Sequence, residues 1–539
     1  MLKQYNIQMN FKNTDIITKF GQSYLPITLI SIYAFFINWI SANMGVMVID
    51  TFSFFDSSFS IFKNKLPVRD FWAFTGIFVD YSQAFFFLVF GKSWTSYVIH
   101  ACFFNILISL TFYYFLQQIE LNKLYSFFYT ISFATLCYPV SGTPFAYLHS
   151  FVFSLASIFL ICIALKKNNP IIWFIIPIVC FMAFFSMQTP SAYIILIVIF
   201  FSLYFLLKKN YSKSFNYFLF GGLFSLTILF IYLFLTNTPF ENLLYQYFLF
   251  PLSLGSERIL SDPSAYVSLK DQISFKKLIM DFKYIHIFLF PIIFFTVKQF
   301  YTNNQNKLKI YNLIIILSTF AFLFNQIVTA NQIYIFSLIP VLASILHCNL
   351  KKEKFNKYLN FFIILLICFV TSKYHLRYNI DRKFLDLENI DKSSAQNAEI
   401  LDNKMKNLNW INPYHEPKEE LLFLKNSINY LKQDKRKKTL ITHYHFISTI
   451  LDEDLNILNR WYLFGNDTHP TETHKYFPFY KNMINKNIED NQVQVIYLLS
   501  QQDEILFDNI KNYFTEKCFK NTVIVENRFS SHEIIKCKK

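Results

Sequence analysis

The chain has 539 residues, 54% of them hydrophobic, 20% aromatic and 16% charged, with a mean hydropathy of +0.31. Soluble domains carry roughly 25% charged residues, so the composition excludes a purely soluble protein and points to an integral membrane one. The formal net charge of +15 does not mark a nucleic-acid surface, because lysines come as doublets between apolar runs, at Lys166-Lys167, Lys208-Lys209 and Lys351-Lys352, the pattern of cytoplasmic loops.

A polar start with Lys3, Lys12 and Lys19 precedes the apolar run Leu25–Ile49. That run exceeds a signal-peptide core and lacks a small-residue cleavage site, which predicts an uncleaved first span. Further apolar runs at 94–116, 124–138, 146–165, 170–188, 190–207, 216–236, 284–300, 309–328, 331–349 and 357–373 predict the others. The run 75–90 decides the topology, and it is short for a span of ~20 residues. If it crossed, the lysine doublets would face outward; lying in the interface or re-entering, it leaves them inside with Lys3, Lys12 and Lys19. The loops 139–145, 189–192 and 329–332 carry no Lys or Arg, which fits the second arrangement. The reading is an α-helical polytopic membrane protein of about 11 spans plus an interfacial or re-entrant helix. Its N-terminus is cytoplasmic, and Asp50–Thr75, 237–283 and everything after Lys373 share the outer face.

Residues 1–374 thus form a multi-span membrane domain, with a first outer loop at 50–93 and a second at 237–283. In the second loop an amphipathic surface helix is expected to end at Pro251, with Glu257 and Arg258 in a charged turn beyond it. From about His375 to residue 539 the pattern becomes that of a soluble extracytoplasmic α/β domain. Apolar spacing predicts helices over Leu385–Leu408 and Lys418–Leu431, and β-branched or apolar runs predict strands at Leu440–Tyr444, Val493–Leu499 and Thr522–Val525. Six of the eight cysteines lie in apolar runs, and only Cys518 and Cys537 are in the polar tail. No C-x-x-C or His/Cys cluster suggests zinc. No P-loop or dinucleotide fingerprint is present either.

The first outer loop gathers Asp50, Asp56, Lys63, Lys65, Arg69, Asp70 and Asp80 beside a span. Ionisable groups at membrane depth are costly and usually functional. The segment Lys65-Leu66-Pro67-Val68-Arg69-Asp70-Phe71, the acidic position Asp50, Gly76-Ile77-Phe78 and Phe90-Gly91-Lys92-Ser93 together resemble the first loop of the GT-C superfamily of membrane glycosyltransferases, which includes protein mannosyltransferases and the aminoarabinose transferase of lipid A. Phe181–Tyr193 resembles that family's Lys-Gln span, and Tyr247–Pro251 its later extended loop. This chain departs from the pattern at Thr51 (usually a second carboxylate), Asn64 (Gly), Val68 (Tyr) and Met187 (Lys).

The resemblance implies a GT-C-like fold and transfer of a sugar from a polyprenyl-phosphate donor to an acceptor hydroxyl at the outer membrane surface. The acceptor, a glycan, lipid or protein, stays open, as do the sugar and any divalent cation; the expected partners are the lipid-linked donor, that acceptor and membrane lipid, with no nucleic acid. Such chemistry needs a carboxylate to take the acceptor proton and cations to stabilise the departing phosphate. Asp50, at the span-to-loop junction, is the expected general base; its competing role is a cap for the next helix, shared with Thr51. Asp70 is expected to fix the loop or hold a sugar hydroxyl, pairing with Arg69 or Lys65. Arg69 and Arg258 are the phosphate candidates, and Asp56, Asp80 and Glu257 are secondary ones. His100, His149, His286 and His347 read as packing residues, whereas His443, His445, His469 and His474 could mark an acceptor-binding edge. Asn/Lys/Ile/Phe-rich usage points to a bacterial inner membrane. Two other classes compete: a flippase of lipid-linked saccharides, and a non-catalytic GT-C-like receptor or assembly factor.

Overall fold

The computed structural model describes residues 11–208, 211–262, 267–302, 307–330, 333–352, 357–462, 468–501, 507–514 and 517–537. Among these, eight helices are long and apolar enough to cross a membrane. They lie within α1 (Phe11–Ala42), α5 (Trp94–Gln118), α7 (Ala146–Lys167), α9 (Gln188–Lys208), α10 (Ser212–Thr236), α12 (Lys283–Tyr301), α13 (Leu308–Thr329) and α15 (Lys357–His375). Shorter helices complete the bundle: α6 (Lys123–Leu136), α8 (Pro170–Ser186) and α14 (Leu338–Lys352). Each of the eleven apolar runs read as a span contains a helix. Between α1 and α5 lie α2 (Val48–Thr51), α3 (Phe55–Phe62) and α4 (Ile77–Phe90).

Lys166, Lys208, Lys307 and Lys351 gather at one end of the bundle. Lys166 reaches the Gln118 carbonyl and Glu120, Lys351 the Glu120 carbonyl and Lys307 the Leu165 carbonyl. Helix starts at this end are capped by Asn122 and Asn169, whose side chains accept from Leu124 and Ile171 amides; each satisfies an otherwise orphaned first-turn donor. At the opposite end sit the first loop and the C-terminal region.

The contacts of helix α4 bear on the sequence's open question of crossing. Near its start Asp80 pairs with Arg460, and just past its end Lys92 pairs with Asp452. Both partners belong to the C-terminal region, so both ends of α4 lie on one side of the bundle. Its 14 residues, with Phe85, Leu88, Val89 and Phe90 exposed, present an apolar edge.

The C-terminal region carries a four-stranded sheet of order β1-β2-β4-β3, from β1 (Lys438–Thr442), β2 (Val495–Leu499), β3 (Cys518–Val525) and β4 (Phe529–Ile535). Strands β1 and β2 are parallel; the other pairs are antiparallel. Helices α16 (Pro417–Gln433) and α18 (Phe477–Asp490), with the short α17 (Ile447–Leu451), accompany it. Cys518 and Cys537 form a disulfide joining the outer ends of β3 and β4.

Two sequence expectations are corrected. Leu385–Leu408 is not a helix but a series of short turns. Asp391, Asn397 and Asp402 each accept a hydrogen bond from the amide two residues on, at Ser393, Glu399 and Lys404, and such local bonds compete with helix formation. In the second loop, Pro251 does not end a helix. Helical backbone runs from Phe240 through a π-turn over Leu244–Leu249 into α11 (Phe250–Leu260), and Pro251 lies inside it, where the π-turn accommodates the missing amide. Glu257 and Arg258 therefore lie on α11 and not in a turn.

With the six free cysteines replaced by serine, Lys63→Cys and Lys92→Cys should both react with a membrane-impermeant maleimide from the same side. Labelling of only one before permeabilisation would mean that α4 crosses.

Candidate active site

The first outer loop is locked to the C-terminal region by buried polar bonds. Arg460, 2% exposed in its side chain, donates to Asp80 and to the Thr75 carbonyl, and its guanidinium lies 4.8 Å from the Phe54 ring centroid. Asp80 also accepts from the Ser57 hydroxyl at 2.6 Å. Gly76 has φ +76°, and a side chain there would strike Phe54. Asp56 accepts from the Ser448 and Thr449 amides at 3.0 and 2.9 Å and from the Thr449 hydroxyl at 2.7 Å. Burial pushes the Asp56 carboxyl up to about 6, against the opposing pull of these donors. Trp72 exchanges backbone bonds with Leu458 and Arg460. Asp56 and Asp80 are therefore anchors of the loop.

The Lys65–Phe71 motif is a tight turn held from three sides. Asp70 accepts from the Leu66 amide at 2.7 Å and from Arg69 Nε at 2.9 Å. Arg69 also donates to the Thr236 and Asn64 carbonyls at 2.8 and 2.6 Å. Lys65 donates to Asn491. Asn64 and Val68 have φ of +58° and +71°; Asn suits that conformation, but a β-branched residue does so only when its surroundings over-determine it. Here the Val68 carbonyl accepts from Asn242 at 3.1 Å and Gln246 at 2.8 Å. Gln188, next to Met187, bridges the Phe74 and Tyr247 carbonyls at 2.7 and 2.8 Å, tying both outer loops to α9.

Asp50 stands apart from this turn. The segment after α1 pairs with the C-terminal region through Gly45–Asn409 and Val46–Ile411 backbone bonds, and Phe52 stacks on Trp410 at 5.8 Å. Trp410 is in turn pinned by Glu420, which also accepts from Asn412 and Tyr444. The helix-capping alternative has no support here: the Thr51 hydroxyl accepts from the Met47 amide, and the Asp50 carboxylate makes no hydrogen bond among the described residues. It is half-buried, and burial alone pushes its pKa up to about 6. It acts electrostatically on Tyr334, as do Tyr147 and Arg382. The Tyr334 ring lies 5.1 Å from Tyr147, and its buried hydroxyl has no hydrogen-bond partner among the described residues. Arg382 is buried and donates to the Pro139, Val140 and Ser141 carbonyls. Tyr334, Tyr147 and Arg382 were not marked by the sequence, because only tertiary packing brings α7, the turn before α14 and the segment after α15 together around Tyr334.

Other sequence candidates lie elsewhere. Arg258 and Glu257 are on α11, where Glu257 lies 3.5 Å from His474. His443, His445, His469 and His474 are each at most 5% exposed; His443 bonds the Tyr462 carbonyl and His474 the Ser253 hydroxyl. They are interior residues and present no open edge. Among the described residues no three His, Cys, Asp or Glu side chains converge as a metal site. With Thr51 turned away, Asp50 is the single carboxylate at its position, a donor set that does not suit a divalent cation.

No protein-family model and no curated protein matches the sequence. Among solved structures, the chain is similar to the crystal structure of ArnT from Cupriavidus metallidurans bound to undecaprenyl phosphate. The TM-score is 0.51, covering 95% of this chain and 98% of that one, at 9% identity. The likeness is one of fold: this is a polytopic α-helical membrane protein with a strand-containing C-terminal region, similar in architecture to that structure.

Removing one partner of a buried pair strands the other charge, which costs about 3–5 kcal/mol. Arg460→Met should lower thermal stability in detergent by that order, and adding Asp80→Asn should recover part of it. An unchanged melting temperature in Arg460→Met would remove the latch from this account.

Proposed function

We propose that this protein is an integral membrane glycosyltransferase, moving a sugar from a polyprenyl-phosphate donor to an acceptor hydroxyl at the outer face of the membrane. The observation that carries this reading is Asp50: a half-buried, hydrogen-bond-free carboxylate at a span-to-loop junction, with its pKa raised to about 6. A base poised near working pH combines a populated ionised form with useful basicity. The fold shared with a structure that binds undecaprenyl phosphate supports a lipid-phosphate donor.

In this reading Asp50 takes the proton of the acceptor hydroxyl as its oxygen attacks the anomeric carbon. The bond from that carbon to the phosphate oxygen breaks, and the lipid phosphate leaves with the electron pair. Tyr334, whose hydroxyl is otherwise unused, orients the acceptor or sugar beside Asp50. Arg69 and Asp70 hold the loop, and with Lys65 they line a cavity of about 520 Å³.

The reading includes eleven spans, with α6, α8 and α14 as the short ones. The lysine-bearing end is cytoplasmic by the positive-inside rule. The disulfide of the C-terminal region fits an oxidising compartment such as the periplasm, and a bacterial inner membrane accommodates all of these.

Purified protein assayed with a radiolabelled polyprenyl-phosphate sugar panel and membrane extract should transfer sugar, and Asp50→Asn should lose about 10²–10⁴-fold. Wild-type activity should fall as pH drops through about 6, where Asp50 becomes protonated, and hold above it. A mutant as active as wild type would remove Asp50 as the base.

A further inference from the structure

We infer that the donor's lipid phosphate is held in a cationic groove at the outer ends of α12 and α15, formed by Lys276, Lys283, Lys373 and Arg377. The inference rests on the transferase reading above and assigns the phosphate a site that no first-loop residue supplies. The groove has a volume of about 630 Å³.

Its four cations share one opposing carboxylate on the lining, Asp281; Glu388, which also acts on Arg377, is paired with Lys383. Among the described residues none of the four side chains makes a hydrogen bond or ion pair. Lys283 and Lys373 lie over the Tyr284 ring at 5.5 and 5.2 Å, and Arg377 over Tyr378 at 5.3 Å. Four like charges around one groove repel one another, and a bound anion relieves that repulsion. By contrast, the cations of the first loop are engaged within the protein, Arg69 with Asp70 and two carbonyls, Lys65 with Asn491.

The floor is suited to an amphiphile. Phe336 stacks on Tyr374 at 4.0 Å and on Tyr378 at 5.5 Å, giving an apolar bed where the groove meets the helix ends. Phe336 is also two residues from Tyr334. The turn before α14 thus carries both Phe336, on the groove lining, and Tyr334, on which Asp50 acts electrostatically. On cleavage the phosphate gains negative charge, which the four cations stabilise, and Arg377 can meet two of its oxygens at once.

The test is direct binding, read separately from transfer. Native mass spectrometry of the purified full chain would compare undecaprenyl phosphate, phosphatidylglycerol and inorganic phosphate. The double variant Lys373→Gln/Arg377→Gln should weaken undecaprenyl phosphate at least about tenfold, the loss of one or more charge-assisted contacts. Lys373→Arg should retain binding, and Asp50→Asn should bind within about threefold of wild type. Lys276→Gln, at an exposed residue with no contact to lose, should weaken binding in the same direction and serves if the double variant fails to fold. Undiminished binding in these charge-removing variants would overturn the site. Equal affinity for phosphatidylglycerol would overturn its assignment to the donor, leaving a general phospholipid site. Groove-dependent binding of undecaprenyl phosphate without transfer of any sugar would support the site while failing the transferase reading.

Discussion

The Arg460 guanidinium, buried against Asp80 and the Thr75 carbonyl, is the contact on which the outer half of this molecule depends. A charge pair taken fully out of water gains little stability over an apolar pair of the same shape, but it is exacting about geometry, because a misplaced partner is left charged and dry. Arg460 is exacting in this way toward a loop almost four hundred residues earlier. With Asp56 bound to the amides at the start of α17, it fixes the first loop on the C-terminal region in one register.

The rest of the site follows from that docking. Backbone bonds from Gly45 and Val46 to the 409–411 segment, and the stack of Phe52 on Trp410, place Asp50 where α1 ends. Glu420 holds Trp410 and Tyr444 together beneath it. From the helical bundle, Tyr147 on α7 and the buried Arg382 surround Tyr334, on which Asp50 acts electrostatically. Asp50 is thus kept half-buried with no hydrogen bond to its carboxylate among the described residues, the condition that raises its pKa. Charges elsewhere in the loop are spent on structure: Arg69 and Asp70 satisfy one another and the turn around Val68.

Several of these features were legible in the sequence. The apolar runs, with their ~20-residue scale and lysine doublets, carry their own physical signature, since a membrane imposes length and charge asymmetry on each segment separately. Helix α16 and strands β1 and β2 lie close to their expected positions. Leu385–Leu408 misled because apolar spacing was satisfied while Asp391, Asn397 and Asp402 offered their neighbours' amides a closer partner than the helix would. Strand β4 carried no expectation at all: Phe529–Ile535 mixes serine, histidine and glutamate, and becomes a strand by lying between β2 and β3.

Taken alone, the sequence determined that the chain is a membrane protein, where its apolar helices run, that its first outer loop is unusually charged, and that Asp50 stands where a span ends. These are local properties, set by residue type, run length and neighbouring charge. Tertiary structure alone decided that both ends of α4 pair with the C-terminal region, that Asp56 and Asp80 are anchors, that Arg69 is engaged with the turn, and that Tyr334 lies within electrostatic reach of Asp50. Each of those depends on a partner far away in the chain, and a side chain's partner, more than its identity, sets whether its charge is latched, buried or left open for chemistry.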